Sequence, residues 1–245
     1  MVKKIVGTGV LLVLALALQA GVKMYTLKSP DGKVKLEVTA GQGIAYSLFY
    51  DGRLLLKPSR IALHTDLPEA DHWENIRITG TKQRHVSETV QAPFYRVKEF
   101  GIDCNELELR LNNGFLLLMR AYNDGMAYRF VAGRKGEMTV VEERAEFNFA
   151  DDFEAYIPYS TNPKDPWNMA FQNFYTKAPL TQYNTELPAF LPLTVDAGAV
   201  KLTLLESDLE AYPGMFVCGD GKTPALKGVF AAYPQETFKN KWRCQ

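Results

Sequence analysis

The segment Arg120-Ala-Tyr-Asn-Asp-Gly-Met-Ala-Tyr-Arg-Phe130 constrains the fold more than any other part of this 245-residue chain. Asn123-Asp124-Gly125 lies between the apolar run Phe115 to Met119 and a run in which Met126, Tyr128 and Phe130 alternate with Ala127 and Arg129. A period of two puts alternate side chains on opposite faces of a strand. The Asn-Asp-Gly between the runs demands a tight reversal with a residue at positive φ, which glycine supplies most cheaply. The stretch predicts two paired antiparallel strands.

The same logic recurs along the chain. Pro30-Asp31-Gly32 separates two alternating segments, the second with Val34, Leu36 and Val38 on one face. Asp51-Gly52 turns the run from Ile44 into the run ending at Leu56, and Ala197-Gly198 turns the run from Leu193 into the run ending at Leu205. Further strands are predicted at Arg60 to Leu63, Gln91 to Val97, Glu106 to Leu111, Phe115 to Met119, Met126 to Val131, Val140 to Phe149 and Leu226 to Ala231. No long amphipathic helix competes and no solenoid repeat is evident, so the fold class is all-β.

Composition sets limits on function. An apolar content of 47% supports a packed core, while 28 basic and 28 acidic residues cancel, leaving no long-range field for nucleic acid or an anionic membrane. Lys3-Lys4, the apolar run Ile5 to Leu18 and the small residues Ala20-Gly21 have the form of a signal peptide cut after Ala20. Leu18 departs from the usual small residue at its position, and an uncleaved anchor is the alternative. The expected organisation is a signal peptide over 1–20 and a mature domain over 21–245, placed in the periplasm or secreted, with no membrane attachment after cleavage. Cys104, Cys218 and Cys244 lack C-x-x-C spacing, which leaves one bridge or free thiols rather than a zinc site.

Tyr156 to Leu180 has neither a strand nor a helix period, and is rich in proline, asparagine and aromatic residues. Long irregular segments are usually functional or disordered. Trp167, Phe171, Phe174 and Tyr175 argue for order because such side chains seek burial. Aromatic rings stack on the C–H face of a sugar while carboxamides bond its hydroxyls, so Trp167 and Asn173 are candidate sugar contacts. A lid packed on its own or a neighbouring domain is the other reading. His64, His72 and His85 lack metal-protease spacing, and no G-x-S-x-G elbow, P-loop or G-x-G-x-x-G is present.

The words Leu27 to Gly32, Tyr122-Asn-Asp-Gly125, Ile157-Pro158, Tyr175-Thr176 and Leu226 to Ala231, in that order, resemble the N-terminal domain of glycoside hydrolase family 97, a group of bacterial α-glucosidases and α-galactosidases. The resemblance implies a β-supersandwich, two large antiparallel sheets face to face, which agrees with the strands read above. It also implies that the catalytic acids sit in a following (β/α)₈ barrel absent from this chain, which therefore carries no catalytic residue. In that family a glutamate three residues before a Tyr-Thr pair helps to bind the active-site calcium. Gln172 stands at the matching position, a neutral oxygen in place of a carboxylate.

Glu206 to Met215, ending in Tyr-Pro-Gly-Met, resembles another family word. Ser207 or Asp208 is expected to cap a short helical turn there, and Glu206 is retained as a candidate substrate contact. The polar tail Phe238 to Gln245, with Trp242 and Cys244, departs from the family pattern and suggests a sandwich incomplete at its C-terminal end. The function implied is that of the non-catalytic N-terminal domain of an exported glycosidase, with oligosaccharide reached through the barrel. The alternative is a free-standing carbohydrate-binding β-sandwich.

Overall fold

Alternation of buried and exposed side chains decides the architecture seen in the computed structural model, which describes residues 23–168, 171–207, 209 and 212–232. The expected signal peptide, Asp208, Trp242, Cys244 and the polar tail lie outside the described residues. Fifteen strands run in the order β1 (Lys23–Lys28), β2 (Val34–Gly41), β3 (Gly43–Tyr50), β4 (Arg53–Thr65), β5 (Ile78–Gln91), β6 (Glu99–Leu111), β7 (Phe115–Tyr122) and β8 (Gly125–Ala132). They continue with β9 (Val140–Asn148), β10 (Glu154–Ile157), β11 (Thr176–Pro179), β12 (Leu193–Ala197), β13 (Val200–Leu204), β14 (Met215–Gly219) and β15 (Ala225–Phe230). Among the described residues a single 3-10 turn spans Leu180–Gln182, and no helix is long and apolar enough to cross a membrane.

All named strand pairs are antiparallel. They form a seven-stranded sheet in the order β1-β2-β3-β4-β9-β15-β14 and two four-stranded sheets, β5-β6-β7-β8 and β11-β10-β12-β13. The fold is an all-β sandwich, as expected, but one large sheet meets two small ones rather than a single equal. In β2, Val34, Leu36, Val38 and Ala40 are buried in turn, and Leu36, Val38 and Ala40 face Leu48, Tyr46 and Ile44 of β3. In β7, Leu117 and Met119 are fully buried and face Leu109 and Leu107 of β6. Each such side chain withdrawn from water contributes about 1.5–3 kcal/mol, and all three sheets line one continuous core.

Three predicted turns hold as read: Gly32, Gly52 and Gly198 all take positive φ, and Asp51 joins Gly52 there at φ 48°. The Asn123-Asp124-Gly125 reversal is corrected in detail. Tyr122 pairs directly with Gly125, so the turn is Asn123-Asp124, and none of the three residues is among those at positive φ. Asn123 Oδ1 accepts the Asp31 N–H at 3.0 Å, fastening this turn to the β1–β2 turn. The strand expected over Gln91 to Val97 is also corrected. The strand is β5, which ends at Gln91, and the apolar residues beyond it form a hairpin tip. Arg60 to Leu63 is not separate but the middle of β4.

Candidate functional site

The irregular segment between β10 and β11 spans 158–175, shorter than the sequence suggests because strands occupy both its ends. Ile157 pairs with Thr176, so the excursion begins and ends on adjacent strands. Its first residues are fixed by the backbone: Ser160 N–H donates to Pro188 O at 2.8 Å, Phe190 N–H donates to Pro158 O at 3.1 Å, and Ala189 bridges both Tyr159 and Val217. These bonds tie the loop to β14 of the large sheet.

Aromatic rings continue the support. The Tyr183 hydroxyl donates to Val217 O at 2.7 Å, and its ring meets Tyr159 edge-on with centroids 5.0 Å apart. Gly219 makes room for that ring, since a Cβ there would sit 2.7 Å from Tyr183 Cγ. Tyr159 in turn accepts the Asn184 N–H on its hydroxyl and receives the Asn173 Nδ2 donor on its carbonyl. Burial pushes the Tyr183 and Tyr159 phenols up, which keeps both neutral as donors and acceptors.

The loop's outer half rests on residues supplied later in the chain. Trp167 packs edge-on against Phe216 of β14, and Phe171 packs edge-on against Phe190 with centroids 5.3 Å apart. Phe171 holds φ 55°, a strained conformation for a bulky side chain, and the kind of outlier that clusters at binding and switch segments. Phe174 makes no such packing: it is 99% exposed, and Tyr175 beside it is 45% exposed. None of the four aromatics that argued for order is buried: Trp167 and Phe171, 55% exposed, are only braced by neighbouring rings, and Phe174 stands free of the described residues.

The candidate residues fall into different roles. Trp167 is 37% exposed, so one edge of its ring is available to a ligand while the rest is held by Phe216. Asn173 spends one N–H of its amide on the Tyr159 carbonyl and keeps its oxygen and the second N–H for a ligand. Gln172 is exposed and makes no hydrogen bond among the described residues. No group of three His, Cys, Asp or Glu side chains suited to a metal is found among the described residues. The loop's carboxylate is Asp165, and Gln172 and Asn173 add neutral oxygens of the kind that Ca²⁺ accepts.

Glu206 is placed apart from the loop. Its Oε2 accepts the Met215 N–H at 2.7 Å, which closes the segment between β13 and β14 and fixes the start of the strand that carries Phe216. Ser207 is in irregular structure, and most of the short turn that it or Asp208 was expected to cap lies outside the described residues. Burial pushes the Glu206 carboxyl up despite that bond. Glu143 is raised as well, by burial first and then by the Glu206 charge, while the Tyr212 hydroxyl donates to Glu143 Oε2 at 2.7 Å. Each carboxylate is thus engaged from within the fold, Glu206 by a backbone amide and Glu143 by a phenol, and Glu206 acts as a clasp. The residues that sequence reasoning missed are Phe216, Phe190 and Tyr183. The signal for Phe216 was the short apolar run Met215 to Cys218 directly after a Pro-Gly turn.

Comparison with known proteins gives a consistent picture. The family described as Glycosyl-hydrolase 97 N-terminal matches residues 27–244. A retaining alpha-galactosidase from Bacteroides thetaiotaomicron is 39% identical over 231 residues, covering 91% of this chain and 34% of that protein. A probable retaining alpha-galactosidase from Streptomyces bingchenggensis is 26% identical over 158 residues, covering 63% of this chain and 24% of that protein. The chain thus spans about a third of the length of the first relative and a quarter of the second. Among solved structures, a family 97 enzyme from Pseudoalteromonas in complex with acarbose superposes with TM-score 0.69 at 16% identity, over 84% of this chain and 32% of that one. A beta-arabinopyranosidase superposes with TM-score 0.72 at 20% identity, over 85% and 35%. At these identities the superpositions establish the fold.

Proposed function

Because this chain belongs to glycoside hydrolase family 97 through its N-terminal domain, we propose that it serves an exported glycosidase by supporting the active site rather than by cleaving bonds. In this reading the catalytic carboxyl groups belong to a following (β/α)₈ barrel, and the 158–175 loop lies on the rim of that barrel's site. The substrate class is α-galactosides or α-glucosides, with α-galactosides favoured by the 39% identity to a retaining alpha-galactosidase. The observation that carries the reading is Phe174. A fully exposed phenylalanine, on a loop otherwise tied down by backbone bonds and edge-on aromatic contacts, is suited to a covering surface that none of the described residues supplies.

Calcium fits as a shared ion, with Gln172 Oε1 as this chain's neutral ligand and carboxylates from the barrel as the charged ones. The apolar run Ile5 to Leu18 supports export to the periplasm or beyond. The test is hydrolysis of p-nitrophenyl α-galactoside and α-glucoside by the purified chain, together with the DNA beyond the Gln245 codon. No turnover and a barrel-encoding frame are expected. Turnover that persists in a Gln172→Ala, Glu206→Gln variant overturns the reading. A second reading, a free-standing sugar-binding module, is favoured by the half-exposed Trp167 edge. It requires calorimetric binding of galactosides or maltooligosaccharides that Trp167→Ala abolishes.

A further inference from the structure

β5 is the outer strand of its sheet and runs for 14 residues, of which only Val86 is buried. Its pairing with β6 continues from Ile78↔Leu111 to Gln91↔Glu99, whereas β7 backs β6 only as far as Cys104↔Tyr122. Residues 87–91 and 99–103 therefore project as a bare two-stranded ribbon, roughly 17 Å long at the usual rise per strand residue. Such a ribbon is marginal in water without a third strand. Its tip carries Phe94, fully exposed, with Tyr95, Val97, Val90 and Phe100 all at least 40% exposed. A long edge with an apolar tip is a template for strand pairing with another chain.

The charges on β5 select the partner. Lys82, Arg84 and Glu88 alternate with their neighbours and so project from one face of the strand. Arg84 is already bonded to Glu106 at 2.7 Å, whereas Lys82 and Glu88 make no side-chain hydrogen bond or ion pair among the described residues. We propose that two copies of this chain associate edge to edge through β5, antiparallel, about a two-fold axis at His85.

In that register Lys82 faces the partner's Glu88 and Glu88 faces the partner's Lys82, so the contact is self-complementary. Opposed positions are both even or both odd, so the outward N–H and C=O groups of one copy meet those of the other. The ribbon residues 87–91 then lie along positions 79–83 of the second copy, and each bare ribbon gains its third strand. A register displaced by two residues would set Arg84 against the partner's Glu88, drawing on a guanidinium that Glu106 already holds and leaving Lys82 opposite the partner's Val90.

The test is sedimentation equilibrium of the intact chain over a concentration series, for the wild type, Lys82→Glu, Glu88→Lys and the double reversal. The wild type is expected to dimerise, each single reversal to weaken the dimer about tenfold or more by setting like charges together, and the double reversal to restore it. Amide exchange across residues 79–91 should slow on dimerisation. Both side chains are exposed, so at concentrations where the wild type is monomeric the variants should keep its thermal midpoint. Should a reversal impair folding, Lys82→Gln and Glu88→Gln carry the same comparison with smaller losses. A monomer at every concentration, a dimer indifferent to both single reversals, or a double reversal without rescue overturns the proposal. So does slow exchange in a monomer at the amides of 79–91 that point away from β6, which would mean that this chain covers its own edge.

Discussion

Trp167 meets Phe216 edge-on, with ring centroids 4.9 Å apart and planes at 86°. The contact joins a loop residue to a strand that arrives 49 positions later, so Trp167 has no floor until β14 is in place. Phe216→Ala should therefore free the loop as well as open the core. A loss of about 3–4 kcal/mol in urea unfolding is expected, with faster tryptic cleavage at the exposed Lys164 under native conditions. Unchanged cleavage at Lys164 would show that the loop is held without this ring.

Gly219 lies beneath the Tyr183 ring, where an added Cβ would approach Tyr183 Cβ to 2.8 Å. Neither the strand nor the ring can yield without breaking the Tyr183 hydroxyl bond to Val217 O. Gly219→Ala is expected to destabilise the chain by about 1–3 kcal/mol and to loosen Tyr159, which the same ring supports. A thermal midpoint equal to the wild type would contradict this packing.

How far the sequence revealed all this depends on where each signal was stored. Gly32, Gly52 and Gly198 announced their turns because positive φ is a local demand that few residues meet. β2 and β7 were legible because one face of each is buried along its length. β5 was not. It is a polar edge strand with one buried side chain, and the apolar residues just beyond it drew the predicted strand into the hairpin tip. β10 and β11 have four residues each, too few to show a period. The loop stood out by its aromatics, but its supports Phe190, Phe216 and Tyr183 come from other elements, and no local pattern connects them to Trp167 and Phe171. The clasp between Glu206 and Met215 was equally hidden, since a carboxylate accepting a backbone amide leaves no trace in spacing.

Glu106 is 4% exposed on the outer side of β6 and accepts Nε–H from Arg84 at 2.7 Å and from Arg120 at 2.8 Å. Burial alone would raise its carboxyl, but the two guanidiniums outweigh burial and hold it below the ordinary 4.5. A carboxyl depressed on folding contributes stability that is present above its unfolded value and fades as pH falls through the folded one. Glu106→Gln should thus cost about 2–4 kcal/mol at pH 7, because Arg120 loses its buried counter-charge. The gap between variant and wild type should narrow in acid. A gap of constant size from pH 7 down to pH 3 would assign the loss to shape rather than charge.

Glu143 presents the opposite sign. Its carboxyl is raised, chiefly by burial and further by the Glu206 carboxylate, with the Tyr212 hydroxyl bond pulling the other way. An acid raised on folding binds its proton more tightly in the native state, so stability falls as pH climbs from the ordinary 4.5 through the raised value. Glu143→Gln removes that ionisation and keeps an oxygen for the Tyr212 hydroxyl. The variant should melt roughly a few degrees above the wild type at pH 7 and level with it near pH 4. The wild-type melting temperature should decline more steeply with pH over that interval than the variant's, in which only the raised Glu206 carboxyl of the two still ionises. If the variant instead melts lower at pH 7, the charge on Glu143 supports the fold, and the Tyr212 hydroxyl bond outweighs burial and the repulsion from Glu206.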